Sequence, residues 1–173
     1  MKKFLFIFTL TFLTLNIGAK NQAQAAFLVE PFIDHALSGE VTNGGNDSDM
    51  SITTEGLRLG MTSLGFMYGV EFSIGNTRYD TDPEVDATSQ DLGLFLGYTF
   101  PVMFRVWATY YTDSKISWDD EEYTGTGTKI GIGYSGLPYV SINLQMLNRS
   151  YSENNDDIDD TATLLGISVP LTF

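Results

Sequence analysis

The chain has 173 residues, nine of them basic and 22 acidic, with a formal net charge of −13 and no cysteine. So acidic a chain lacks the lysines and arginines that binding nucleic-acid phosphates requires. Without cysteine it has no disulfide framework, no thiolate-bound metal and no cysteine nucleophile.

Taken in chain order, the first element is a leader. Lys2 and Lys3 precede an apolar run from Phe4 to Ile17, and Ala23-Gln24-Ala25 forms a small-x-small cleavage site. Residues 1–25 read as a secretory signal peptide, which leaves one domain over residues 26–173. The apolar run is short for a membrane of about 30 Å.

From residue 26 onward a single rhythm repeats. Predicted strands cover residues 27–37, 52–62, 66–76, 90–100, 103–112, 126–135, 139–148 and 163–173. Each has about the ten residues that a tilted strand needs to cross hydrocarbon. Short links at 63–65, 101–102 and 136–138 alternate with longer, acid-rich stretches at 38–51, 77–89, 113–125 and 149–162. The longer stretches are expected to be solvated loops. Short turns on one side and longer loops on the other fit an all-β, eight-stranded antiparallel up-and-down transmembrane β-barrel.

Facing follows from the two-residue period of a strand. In the last segment Leu165, Ile167, Val169, Leu171 and Phe173 alternate with Gly166, Ser168, Pro170 and Thr172. Leu92, Leu94 and Leu96 alternate with Asp91, Gly93 and Phe95, and Ile142, Leu144 and Met146 with Ser141, Asn143 and Gln145. Alternation alone does not say which face points inward. A soluble periplasmic barrel would turn the apolar face toward a ligand. The leader, the sorted links and the terminal Phe173 favour the apolar face outward.

With that facing, Glu30, Asp34, Arg58, Glu71, Asp91, Arg105 and Lys129 point inward. Buried charges must pair. A hairpin turning at residues 63–65 brings Arg58 opposite Glu71, the pair that register fixes best. Eight strands leave little lumen, so these charges read as a polar plug rather than a selective pathway. Gly56, Gly60, Gly93, Gly97, Gly131 and Gly133 would give room to the large inward side chains. Two aromatic girdles are expected, with Phe66, Tyr98, Phe100, Phe104, Tyr139 and Phe173 at one end and Tyr79, Tyr110, Tyr123 and Tyr151 at the other.

The lone histidine, His35, faces outward by alternation, and strict alternation puts the nearby Ser38 on the other face. No second member of a catalytic set, no phosphate loop and no cofactor signature accompanies it, so the expectation is a protein that is not an enzyme and has no cofactor or metal. Acids crowd three of the longer stretches: Asp80, Asp82, Glu84 and Asp86; then Asp119, Asp120, Glu121 and Glu122; then Glu153, Asp156, Asp157, Asp159 and Asp160. Divalent cations bridging to outer-leaflet phosphates are conceivable there, but the spacing lacks the EF-hand pattern.

The leader, the strand rhythm, "GLFLGYTF" at 93–100 and "LLGISVPLTF" at 164–173 together resemble the small outer-membrane β-barrels of Gram-negative bacteria, the OmpX type and the transmembrane domain of OmpA. The resemblance implies localisation in the cell outer membrane, with lipid and lipopolysaccharide as partners. It implies that the Phe173 strand is the signal read by the barrel-assembly machinery, and that the inner Arg–carboxylate cluster is a plug. Nucleic-acid binding is not expected from the charge, and the sequence leaves the oligomeric state open, with a monomer favoured. Unlike full-length OmpA, the chain is not expected to carry a domain after the barrel, so the resemblance does not imply peptidoglycan anchoring. The expected function is surface interaction or envelope integrity through acidic external loops. A narrow, porin-like channel for small solutes is the alternative.

Overall fold

β-Branched and aromatic residues at period two, punctuated by glycine, proline and asparagine, give this chain strands throughout. The computed structural model describes residues 25–43, 46–80, 85–118, 121–153 and 156–173. Residues 1–24, which hold most of the expected signal peptide, lie outside the described residues, as do Asp82, Glu84, Asp119 and Asp120. The strands are β1 (Ala26–Asn43), β2 (Asn46–Ser63), β3 (Phe66–Tyr79), β4 (Val85–Thr99), β5 (Phe104–Trp118), β6 (Glu121–Leu137), β7 (Val140–Glu153), β8 (Asp156–Ser168) and β9 (Leu171–Thr172).

Strands β1 to β8 each pair antiparallel with their sequence neighbours, β8 returns to β1, and β9 also pairs with β1. The short β9 continues β8. Phe32 pairs with Ser168, and Val29 with Leu171, in one unbroken register along β1. The eight-stranded barrel expected from the sequence is therefore closed. Its last strand, expected to run unbroken over residues 163–173, is interrupted at Val169–Pro170. The cause is covalent: Pro170 has no N–H to give the ladder, and neither has Pro31 on β1. Val169 bridges the gap by donating its N–H to the Pro31 carbonyl at 3.0 Å.

The strands are longer than expected. β1 and β2 have 18 residues each, against the roughly ten needed to cross a membrane. The four acid-rich stretches expected to be loops are mostly strand. Asn43 pairs with Asn46, Tyr79 with Val85, Trp118 with Glu121 and Glu153 with Asp156. One end of the barrel, the turn end, carries the tight turns. The other, the hairpin end, carries these extensions.

The tight turns use left-handed residues. Leu64 and Gly65, with φ of 53° and 87°, join β2 to β3 as a two-residue turn whose twist suits a hairpin. Met103 and Tyr139 hold the left-handed position in the next two turns, with φ of 66° and 63°. That is why β5 starts at Phe104 and β7 at Val140, each a residue later than expected.

Bulges shift the inward set twice. Along β1 the inward residues are even-numbered to Asp34, and past a bulge between His35 and Glu40 Val41 is inward. Along β5 they are odd-numbered to Tyr111, then even-numbered at Ser114 and Ile116 after Thr112 and Asp113 are both exposed. An extra residue on one strand produces such a phase change.

Leu64 accepts a conformation that asparagine takes more readily. Replacing Leu64 by Asn should raise stability by about 1 kcal/mol, read as a higher urea midpoint of the barrel folded in lipid vesicles.

Candidate functional site

The barrel wall has two zones. Toward the turn end the outward residues are apolar: Phe66, Val70, Phe72 and Ile74 on β3, Leu92, Leu94 and Leu96 on β4, Ile142, Leu144 and Met146 on β7. This band ends in one circuit of the wall. The first polar outward residues are His35, Glu55, Asn76, Gln90, Thr112, Thr128, Asn148 and Thr163, one from each of the eight strands, and all but the part-buried Thr163 are exposed. Beyond that ring the outer face carries Glu40, Asp47, Asp49, Asp86, Glu122 and Asp159, with serines and threonines between them.

Inside the band, six charges form an alternating chain. Lys129 Nζ lies 3.6 Å from Asp34 and 2.5 Å from Glu71. Glu71 accepts from Arg58 Nε at 2.6 Å, and Arg58 Nη1 reaches Glu30 at 2.9 Å. Glu30 also accepts from Arg105 Nη1 at 2.8 Å and from Arg105 Nη2. All six are buried. Neutral groups complete the set. Tyr111 and Thr109 donate to Glu71, Gln145 donates to Asp34 and accepts from Arg58, and Asn143 and Ser168 accept from Arg105.

The cations also stack on aromatic faces. Lys129 Nζ and Arg58 lie 4.5 and 4.6 Å from the Phe32 ring centre, and Arg58 and Arg105 lie 4.6 and 4.9 Å from Trp107. The rings separate three like charges while favouring each of them. Gly131 makes this possible, because a Cβ there would collide with the Trp107 ring; Gly56 does the same for Phe32, and Gly133 for Arg105.

The register prediction holds: Arg58 is directly opposite Glu71. Glu30, Asp34, Arg105 and Lys129 join the same network. Asp91 does not. It belongs to a second group, where Arg149 lies 3.4 Å from Asp91 and 2.9 Å from Asp160, and Ser114 donates to Asp91. Sequence reading missed Arg149 and Asp160 because it ended the strands at residue 148 and began the last one at 163. The inner charges thus number four bases and five acids among the described residues, not three and four. Simple continuation of the alternation 141, 143, 145, 147 finds Arg149.

Apolar layers close both ends. Leu28, Met67 and Phe95 pack at the turn end. At the hairpin end Val41, Met50, Ile52, Tyr79, Ala87, Ile116, Leu147, Tyr151 and Ile158 form a larger inner cluster, with Trp118 and Tyr123 against it. This overturns one expected girdle. Tyr79 and Tyr151 are buried inside, Tyr123 packs against the same cluster and stacks on Trp118, and only Tyr110 of the four faces outward in the band. Beyond the ring the wall meets water, so apolar residues turn inward there. Burial raises the Tyr79 and Tyr151 hydroxyls and, against the pull of Arg149, the Asp160 carboxyl. The turn-end girdle stands, with Phe66, Phe100, Phe104, Tyr139 and Phe173 exposed and Phe66–Tyr98 and Tyr98–Phe100 ring contacts of 4.9 and 5.0 Å.

No family model matches the sequence, and no curated protein matches it. Among solved structures the chain is similar to Neisserial surface protein A, with a TM-score of 0.62 and 13% identity over 84% of this chain and 98% of that one. It is also similar to Ail, the attachment invasion locus protein of Yersinia pestis in complex with the heparin analogue sucrose octasulfate, with a TM-score of 0.54 and 11% identity over 87% and 100%. The chain has the fold of the small outer-membrane β-barrels.

His35 is exposed on the outer face of β1. Its ring hydrogen-bonds the Thr53 hydroxyl at 2.9 Å. The bulge in β1 leaves Ser38 exposed as well, contrary to strict alternation. Among the described residues, no three His, Cys, Asp or Glu side chains are grouped to hold a metal.

Truncating one member of a buried ion pair leaves its partner uncompensated. Arg58→Met and Glu71→Gln should each cost about 3–5 kcal/mol, and the double variant less than their sum; urea unfolding in vesicles gives the coupling. Ile116→Ala should cost about 2–5 kcal/mol through a cavity in the hairpin-end cluster. The Ile116→Ala barrel should still insert into membranes, as its mobility on unboiled gels would record.

Proposed function

We propose that this chain is a non-enzymatic integral protein of a bacterial outer membrane, acting through its outer wall rather than by conducting solutes. In this reading the apolar band lies in lipid, the turn end faces the periplasm and the hairpin end stands outside. The aromatic girdle at the turn end marks the inner boundary. The assembly machinery would engage the terminal strand. Phe173 is 77% exposed there and exchanges both backbone hydrogen bonds with Phe27.

The observation that carries the reading is the filled interior. A turn-end apolar layer, a paired charge network and a hairpin-end apolar cluster succeed one another along the axis. A conducting path would have to disrupt buried ion pairs and a dry cluster. The acidic outer wall supports surface interaction with cationic or cation-bridged partners. It contrasts with the polyanion bound to Ail in the complex cited above.

Two measurements test the proposal. The membrane fraction should need detergent for extraction, and the protein should change gel mobility on boiling. In planar bilayers the purified barrel should give no discrete conductance steps. Release into aqueous buffer would return the soluble ligand-binding alternative, and reproducible steps would favour the channel.

A further inference from the structure

The inner charges do not balance. Along the chain from Asp34 to Arg105, three cations meet three carboxylates. Toward the hairpin end a single cation, Arg149, sits between two carboxylates, Asp91 and Asp160. All three side chains belong to residues at most 2% exposed. The interior is thus one positive charge short among the described residues, and the shortage lies in this group. An uncompensated charge in such a place is costly, and a carboxyl group removes the cost by keeping its proton.

Geometry separates the two carboxyls. Asp91 accepts from Ser114 at Oδ1, and from Ser73 and Arg149 at Oδ2, each at 3.4 Å. Donors on both oxygens favour the ionised form. Asp160 has Arg149 at 2.9 Å and the Tyr79 hydroxyl at 3.5 Å on Oδ2, and no partner on Oδ1. A buried oxygen without a donor is less costly as part of a neutral acid than as part of an anion.

Few ionisable groups face Asp160. Arg149 and Tyr151 come from β7, Asp91 from β4 and Tyr79 from β3. Val41 on β1, Ile52 on β2 and Ile116 on β5 are apolar, and Tyr123 on β6 packs against the same cluster. Tyr111 on β5 and Lys129 on β6 are held by Glu71 in the neighbouring network. Arg149 is the one cation paired with Asp160, and Asp91 shares it.

We propose that the Asp91–Asp160 pair holds one proton, seated on Asp160 Oδ1, and that this proton locks the hairpin-end half of the barrel. Its loss puts a second, unbalanced charge among Val41, Ile52, Tyr151 and Ile158. Admitting water relieves that charge and loosens β7 and β8, where Arg149 and Asp160 are paired across the ladder. The turn-end network balances its own charges and stays closed. Closure of the barrel is enough for this device, whichever solvent meets the outer wall.

Burial, with Asp91 adding to it, holds the Asp160 carboxyl above the ordinary range against the pull of Arg149. In the unfolded chain Asp160 loses its proton near the ordinary aspartate value of about 3.9. Stability from the buried acid is therefore complete below that value and declines as pH rises through the folded value.

Urea unfolding in lipid vesicles over this range tests the lock, with Asp160→Asn as the mimic of the protonated acid. Relative to that variant, the wild-type unfolding constant should climb by up to about tenfold per pH unit, the linkage of one proton. On the acid side the two should share one urea midpoint. Asp91→Asn should be weaker there, because Ser114, Ser73 and Arg149 lose an ionised acceptor. Infrared spectra of wild type minus Asp160→Asn should show a carboxylic-acid carbonyl band that fades over the same range. Parallel pH profiles overturn the proposal, and so does a difference spectrum without the band. A midpoint that follows sodium concentration instead of pH overturns it too, since a bound cation then supplies the missing charge. Failure of Asp160→Asn to reach the form that changes gel mobility on boiling overturns it, because the fold then requires the ionised carboxylate. A weakened Asp160→Asn beside an unaltered Asp91→Asn at acid pH overturns the seating on Asp160.

Discussion

The alternating chain Asp34–Lys129–Glu71–Arg58–Glu30–Arg105 holds the centre of this barrel. Its members come from β1, β2, β3, β5 and β6. Each carboxylate at an inner position of the chain serves two cations, so no charge can be withdrawn without stranding a neighbour. The same contacts fix register. A slip of one residue on any of these strands would turn a charge onto the apolar outer face and a large apolar residue inward. Phe32 and Trp107 add a second constraint, since the three cations share their faces. Packing, register and electrostatics are here one requirement.

Around this centre the wall answers to two solvents. In the band, apolar side chains point out and polar ones in. Beyond the ring from His35 to Thr163 the preference inverts, with Ser51 and Asp49 outward on β2 and Ile52 and Met50 inward. β2 makes this change without altering its phase. Only the chemistry of the two faces is exchanged. Seen this way, the hairpin-end half is a small water-soluble barrel continuous with a membrane one. Its core is Val41, Ile52, Tyr79, Ile116, Tyr151 and their neighbours.

What the sequence disclosed follows from this division. Where a strand must be apolar on one face, as in residues 66–76 or 139–148, the period-two signal is strong and facing is readable residue by residue. The Arg58–Glu71 pair was accessible because a two-residue turn fixes register arithmetically. Beyond the ring the outward residues are acids, serines and threonines, and their density hides the apolar residue at every second place. Those stretches look like loops to any reading that weighs composition over alternation. Arg149, Tyr151 and Asp160 were lost for that reason. The bulges near residues 36–40 and 112–113 add a phase change that no local pattern announces, so Val41 and Ile116 could not be placed inward by counting.

The seam between the first and last strands has a further consequence. Phe27 and Phe173 exchange both backbone hydrogen bonds at 3.0 Å, just as paired residues flank a tight turn elsewhere in the wall. The cylinder therefore contains a hairpin that lacks only its connecting turn. A linker closing this seam between Phe173 and Phe27, with the chain opened between two paired strands elsewhere in the wall, would conserve the pairing around the cylinder and the buried ion pairs. The order of the strands along the polypeptide is thus separable from their order around the cylinder, and the fold is open to circular permutation.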